Sequence, residues 1–148
     1  MAPVVLRLQE ASALRVKVAV TAQHRQMLDQ VLDIFAIRPD FDLDIMSPDQ
    51  DLFDITSRAL LGLKEVLRQE QPDLVLVHGD TTTTFVAALA AFYLKIPVGH
   101  VEAGLRTRDK HRPFPEEINR HLAGVLTDYH HAARTSSDPT YWGSLPAS

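Results

Sequence analysis

Two short apolar runs, Leu74-Val75-Leu76-Val77 and Ile96-Pro97-Val98, each stop at a polar cluster. The first runs into His78-Gly79-Asp80 and the threonines Thr81 to Thr84, the second into His100-Val101-Glu102-Ala103-Gly104. Runs this short, uncharged and rich in branched residues read as strands buried on both faces, the pattern of a parallel sheet. Between them Phe85 to Leu94 is apolar and alanine-rich, which suits a helix packed closely on that sheet. In an open α/β sheet the ligand crevice lies beyond the carboxyl ends of the strands. The chain therefore sets carboxylates where a small substrate would sit, and a sugar or nucleotide enzyme is the leading expectation.

The rest of the chain keeps the alternation. Val4 to Ala11 looks helical, and Arg15 to Val20 alternates polar and apolar residues as a strand does before the polar turn Thr21 to Arg25. Met27, Leu28, Val31, Leu32 and Phe35 recur at helical spacing, so a helix is expected from about His24 to Phe35. A short strand is expected at Leu43 to Met46, then a helix start at Ser47, Pro48 and Gln50. Leu52, Ile55, Ala59, Leu63 and Val66 mark that helix's inner face, and Pro72 ends it before a strand from Asp73 to Val77. Pro115 fits the first position of a further helix, and Tyr129 to Ala133 a last strand. Such alternation implies a doubly wound parallel sheet with helices on both faces. It opens on a helix without the strand that normally starts such a unit. Residues 134–148 hold two prolines and no helical period, and are expected to be a disordered tail.

Composition narrows the partners. A net charge of −4 argues against a general nucleic-acid binder. There are no cysteines, which excludes disulfides, thiolate nucleophiles and cysteine-based zinc sites. Arg7, Glu10, Arg15 and Lys17 interrupt the start, so no signal peptide is expected there, and no stretch approaches the ~18 apolar residues of a membrane helix. A cytoplasmic protein is the expectation.

Each candidate residue has a structural and a functional reading. Asp80 precedes a helix and could cap it, contact substrate, or both; the same helix start, with its threonine hydroxyls, suits a phosphate or a sugar hydroxyl. Glu102 follows a buried strand beside Gly104 and has no evident capping partner, which favours function. Glu116 and Glu117 lie in a first helical turn, where acidic residues are stabilising in any protein, and Glu116 is spaced to pair with Arg120, so spacing alone favours structure for both. His78 with Asp80, and His100 with Glu102, form two His-x-carboxylate pairs. Residues two apart share a strand face, so a metal-dependent hydrolase is a minority rival if all four side chains converge. Arg106, Arg108, Lys110 and Arg112 make the following loop basic, either a solvated surface or an approach for pyrophosphate.

At these residues a family becomes recognisable. Thr21 to Arg25 with Met27 to Gln30, His78 to Thr84, Val98 to Thr107, and Pro115-Glu116-Glu117 with Asn119-Arg120 resemble, in order, the bacterial non-hydrolysing UDP-N-acetylglucosamine 2-epimerases, from Met1 to about Ala133. The resemblance implies one Rossmann-like half of a two-domain fold of glycosyltransferase-B type, with the active site in the cleft between the halves. It implies conversion of UDP-N-acetylglucosamine to UDP-N-acetylmannosamine, for cell-envelope polysaccharide precursors, by elimination and re-addition of UDP. By motif position Asp80, Glu102 and Glu116 correspond to the family's acid/base and substrate-positioning carboxylates, which reverses the spacing-only reading of Glu116. Thr81, Arg106, Glu117 and Arg120 then become substrate-binding candidates, and Gln23, His24 and Arg25 candidates for a second, regulatory UDP-N-acetylglucosamine site. No metal or redox cofactor is implied, since the reaction is redox-neutral, and a homodimer is expected of the full-length family.

The departures set the remaining expectations. Family members begin with a strand and a Gly-Thr-Arg-Pro-Glu loop, and Met1-Ala2-Pro3 resembles the residues just after it. The family's second half, with most uridine diphosphate contacts and a catalytic histidine, has no counterpart here, and the resemblance fades from about Arg134. The chain is thus expected to hold a partial amino-terminal domain, residues 1–133, followed by a divergent tail. It is expected to be inactive alone, or else to act as a non-catalytic UDP-sugar-binding or subunit-association module.

Overall fold

The computed structural model describes residues 1–22 and 25–132; the expected tail therefore lies outside the described residues. The elements run α1 (Ala2–Gln9), β1 (Ala19–Val20), α2 (Arg25–Ile34), β2 (Phe41–Asp42), α3 (Leu52–Glu70), β3 (Val75–His78), α4 (Thr82–Tyr93), β4 (Val98–Ala103), α5 (Glu116–Val125) and β5 (Tyr129–Ala132). Among the described residues every strand pairing is parallel, as the doubly wound pattern requires. They fall into two sheets, β1-β2 and β3-β4-β5.

Local chemistry explains the boundaries. Asp51 begins α3 through a reciprocal capping box with Asp54, so the helix starts after the expected Ser47-Pro48-Gln50 signal. Gln50 instead folds back, its side chain bonding Ile45 O and accepting from Ser47 N. Gln71, in the left-handed conformation at φ 45°, terminates α3 just before Pro72. The expected strand at Leu43 to Met46 is corrected to Phe41–Asp42, because Asp44 takes φ 40° and breaks the extended path. Leu43 and Ile45 still donate to the carbonyls of Val20 and Thr21, so this segment follows β1 without regular strand geometry.

The core forms where α3 packs on α4 and α4 on β3. Ile55, Ala59, Leu63 and Leu67, at three- and four-residue intervals, are the buried stripe of α3. Against it lie Val86, Ala88, Ala90 and Ala91 of α4, and the small side chains let the helices approach closely. β3 and β4 supply Val77 and Val98 beneath them.

β1 and β3 do not pair with each other. A cavity of about 440 Å³ separates them, lined by Ala19 and Val20 on one side, Leu76 and Val77 on the other, and by Val31 and Leu63 from the helices. Among the described residues no helix is long and apolar enough to cross a membrane.

Candidate active site

The carboxyl ends of β3 and β4 carry the polar clusters that the sequence singled out. β3 stops because Gly79 adopts φ 75°, a conformation a side chain resists, although a Cβ would meet nothing there. Its N–H still donates to Val101 O at 3.1 Å, which keeps the turn against β4. β4 is irregular at the same level: the register shifts between Val101 and Ala103, and Glu102 sits in this bulge at φ 63°. Gly104 follows at φ 97° and leads the chain away. A non-glycine residue held in the left-handed region at a strand end is a mark of sites where backbone geometry aims a side chain.

The bulge corrects the reading of His100 and Glu102 as a same-face pair. His100 is fully buried, and its Nε2–H donates to Gly79 O at 2.7 Å. Its Nδ1 has no partner among the described residues. Glu102 is instead turned toward β3, where its Oε2 lies 3.0 Å from Nε2 of His78. Asp80 goes elsewhere again, to Arg120. The four side chains of the metal-hydrolase rival therefore do not converge, and among the described residues no three His, Asp or Glu groups could hold a metal ion together.

Arg120 is the hub of the site's buried electrostatics. Only 6% exposed, it reaches from α5 to the Asp80 carboxylate, to Leu105 O at 3.0 Å and to Glu117 Oε2 at 3.3 Å. It does not use the Glu116 spacing, because Glu117, Asn119, Arg120 and Ala123 form the inward face of α5. Glu117 is 4% exposed and accepts from the backbone N–H groups of Thr107 and Arg108 at 3.0 and 3.2 Å. This clamps the basic loop to α5. Glu116, half-buried at the first position of α5 after Pro115, is the carboxylate of this turn left without an internal hydrogen bond among the described residues. Pro115 is the residue before the helix rather than its first position.

The α4 start divides its labour differently from the sequence expectation. Thr81 is the cap, its hydroxyl accepting from Thr84 N at 3.3 Å, while Thr84 Oγ1 donates to His78 O at 2.6 Å. Asp80 is freed from capping, and its partner Arg120 comes from α5. Asn119, which the sequence marked only as part of a motif, donates to Thr82 Oγ1 at 3.4 Å and so ties α5 to the start of α4. Arg106 lies along α5: a Cβ at Gly124 would approach its Nη2 to 3.1 Å, so glycine is what lets the guanidinium pass there. Of the regulatory candidates, Gln23 and His24 lie outside the described residues, and Arg25 bonds Asp42 and Asp44 at 2.5 and 2.7 Å.

Two of these groups set an acid limit on stability. Burial pushes the His100 imidazole below its usual 6.5, only partly offset by its bond to Gly79 O, so the fold holds it neutral. Burial would raise Glu117, but the N–H groups of Thr107 and Arg108 with Arg120 outweigh it and leave the carboxyl below its usual 4.5. In both cases the unfolded chain binds protons more readily than the folded one as pH falls, so stability is present at neutral pH and declines on acidification. Melting temperature is expected to fall from about pH 7 to about pH 4, first through His100 and then through Glu117. A level profile over that range would contradict this account of both groups.

Comparison with known proteins identifies the lineage. The family profile described as UDP-N-acetylglucosamine 2-epimerase matches residues 6–139. The UDP-N-acetylglucosamine 2-epimerase of Bacillus subtilis is 61% identical over 132 residues, which is 89% of this chain and 35% of that protein. The crystal structure of UDP-GlcNAc 2-epimerase from Neisseria meningitidis bound to UDP-GlcNAc superposes with a TM-score of 0.86 at 58% identity, over 89% of this chain and 36% of the other. The Methanocaldococcus jannaschii enzyme in complex with UDP-GlcNAc and UDP does so at 0.81 and 35% identity, over 88% and 36%. The chain thus spans about a third of the length of the relatives it matches. Since the matched stretch includes both strand-end clusters and the α5 turn, these 148 residues belong to the UDP-N-acetylglucosamine 2-epimerase family.

Proposed function

We propose that this chain supplies the acid/base carboxylates for epimerisation at C2 of UDP-N-acetylglucosamine. The observation that carries the proposal is the delivery of Asp80 and Glu102 by the ends of adjacent parallel strands, with Glu116 at the start of α5 free of internal hydrogen bonds among the described residues. The proteins from Neisseria meningitidis and Methanocaldococcus jannaschii with which it superposes hold UDP-GlcNAc. In the reaction a carboxylate takes the C2 proton while the C1–O bond breaks and UDP departs, leaving a glycal. UDP then adds back at C1 as a second group returns a proton to the opposite face of C2, giving UDP-N-acetylmannosamine. Asp80, Glu102 and Glu116 divide these proton transfers and the positioning of the sugar among themselves. Thr81 and Arg106 serve as substrate-binding residues in this reading, while Glu117 and Arg120 act by holding the loop and Asp80. The envelope-polysaccharide role, a cytoplasmic location, a homodimer and a second site at Gln23, His24 and Arg25 belong to the same reading.

The test is a chimera in which this chain replaces the matching segment of the Bacillus subtilis relative. It is expected to convert UDP-N-acetylglucosamine to UDP-N-acetylmannosamine, and to do so after dialysis against a chelator, because no step calls on a metal. The 148 residues alone are expected to give no product, since UDP would be held from one side and water would reach the developing charge. An inactive but folded chimera would contradict the proposal, and turnover by the isolated chain would place the whole reaction within it.

A further inference from the structure

We infer that His78 is a positioning residue for Glu102, and that the bulge in β4 exists to bring the two together. In register, His78 stands opposite Val101, so in a regular strand Glu102 would project to the other face, beside His100. It does not. The register shift between Val101 and Ala103 and the φ of 63° at Glu102 turn its carboxylate back across β3, to 3.0 Å from His78 Nε2. A left-handed φ on a glutamate is strained and persists only where surrounding contacts over-determine it. Among the described residues, the ion-pair partner of its carboxylate is His78.

The placement suits proton transfer better than burial. The side chains of both residues remain partly open, at 41% and 45% relative exposure, so the pair faces the crevice instead of the core. With Nε2–H donating to one carboxylate oxygen, the other oxygen stays free to meet a substrate proton. Glu102 then loses rotational freedom before substrate arrives, which is the preorganisation that proton abstraction from carbon requires. His100, one strand over, cannot substitute, because its Nε2 is committed to Gly79 O. The inference rests on the epimerase reading of Glu102, but the pair itself can be tested apart from it.

The experiment uses the chimera described above with His78→Phe, which keeps a planar ring and removes the donor, and His78→Gln, whose amide can donate from a similar reach. His78→Phe is expected to lower kcat about 10- to 100-fold with KM changed by less than about threefold, and His78→Gln to recover most of the loss. Combined with Glu102→Gln, His78→Phe is expected to cost nothing further, because its effect passes through Glu102. A full additional loss in the double variant, or equal damage from Phe and Gln, would overturn the inference in favour of a purely structural histidine. Imidazole ¹⁵N spectra of the same protein give a readout independent of turnover: a protonated Nε2 whose signal moves on Glu102→Gln supports the pair even if the chimera is inactive, and an unchanged signal overturns it.

Discussion

Asp80→Asn, Glu102→Gln and Glu116→Gln, each placed in the chimera with the Bacillus subtilis relative, are expected to lower turnover by about 10²-fold or more, the scale of lost acid/base assistance. Each change keeps size and removes one ionisable oxygen, so the loss reports chemistry and not packing. The three should differ in what else they disturb. Asp80→Asn also takes a charge from Arg120, whereas Glu116 has no internal hydrogen bond among the described residues to lose. Glu116→Gln is therefore expected to leave the melting temperature unchanged, and Asp80→Asn to lower it. Near wild-type turnover in Glu102→Gln would remove that residue from the mechanism.

Arg120→Met is expected to be the most damaging single change to the fold among the site residues. The guanidinium is nearly sealed from solvent and sits between two carboxylates and the carbonyl of Leu105. Methionine fills a similar volume but strands the Glu117 charge in the interior, and breaking a buried pair in this way costs about 3–5 kcal/mol. Urea denaturation of the chimera measures it. Arg120→Met with Glu117→Gln should recover part of the loss, because the stranded charge is gone while Gln can still accept from one N–H of the loop. If Arg120→Met melted as the wild type does, the network would be incidental to stability.

Element types were readable because the apolar periods are clean. Ile55, Ala59 and Leu63 form the buried stripe of α3 as their spacing required, although Leu52, expected on the same face, is exposed and Leu67 takes the place expected of Val66, and the run ending at Val77 lies on β3 from Val75. Boundaries were less legible wherever one side chain decides them. Asp44 at positive φ ends the strand that the apolar pattern prolongs to Met46, and the Asp51 capping box outcompetes the earlier Ser47 signal.

At the site, residue identity was legible but pairing was not. The sequence places Asp80, Glu102 and Arg120 in the same neighbourhood through strand ends and a helix start. It cannot show that a one-residue bulge separates Glu102 from His100, because strand periodicity assumes regular register. Nor does helical spacing reveal that Arg120 turns inward to Glu117 and Asp80 and away from Glu116, since that choice depends on which face of α5 meets β4 and the loop. The capping role also moved by one residue, from Asp80 to Thr81, once Arg120 was there to claim the aspartate.

The central claim is that the carboxylates at the ends of β3 and β4 and at the start of α5 move the C2 proton. Running the chimera in heavy water with UDP-N-acetylglucosamine, and following deuterium at C2 by mass spectrometry, tests it directly. Deuterium is expected at C2 of the UDP-N-acetylmannosamine formed and of the recovered substrate, with Glu102→Gln and Asp80→Asn suppressing the exchange together with the epimerisation. Epimerisation without solvent deuterium at C2, or exchange that continues undiminished in both variants, would contradict it.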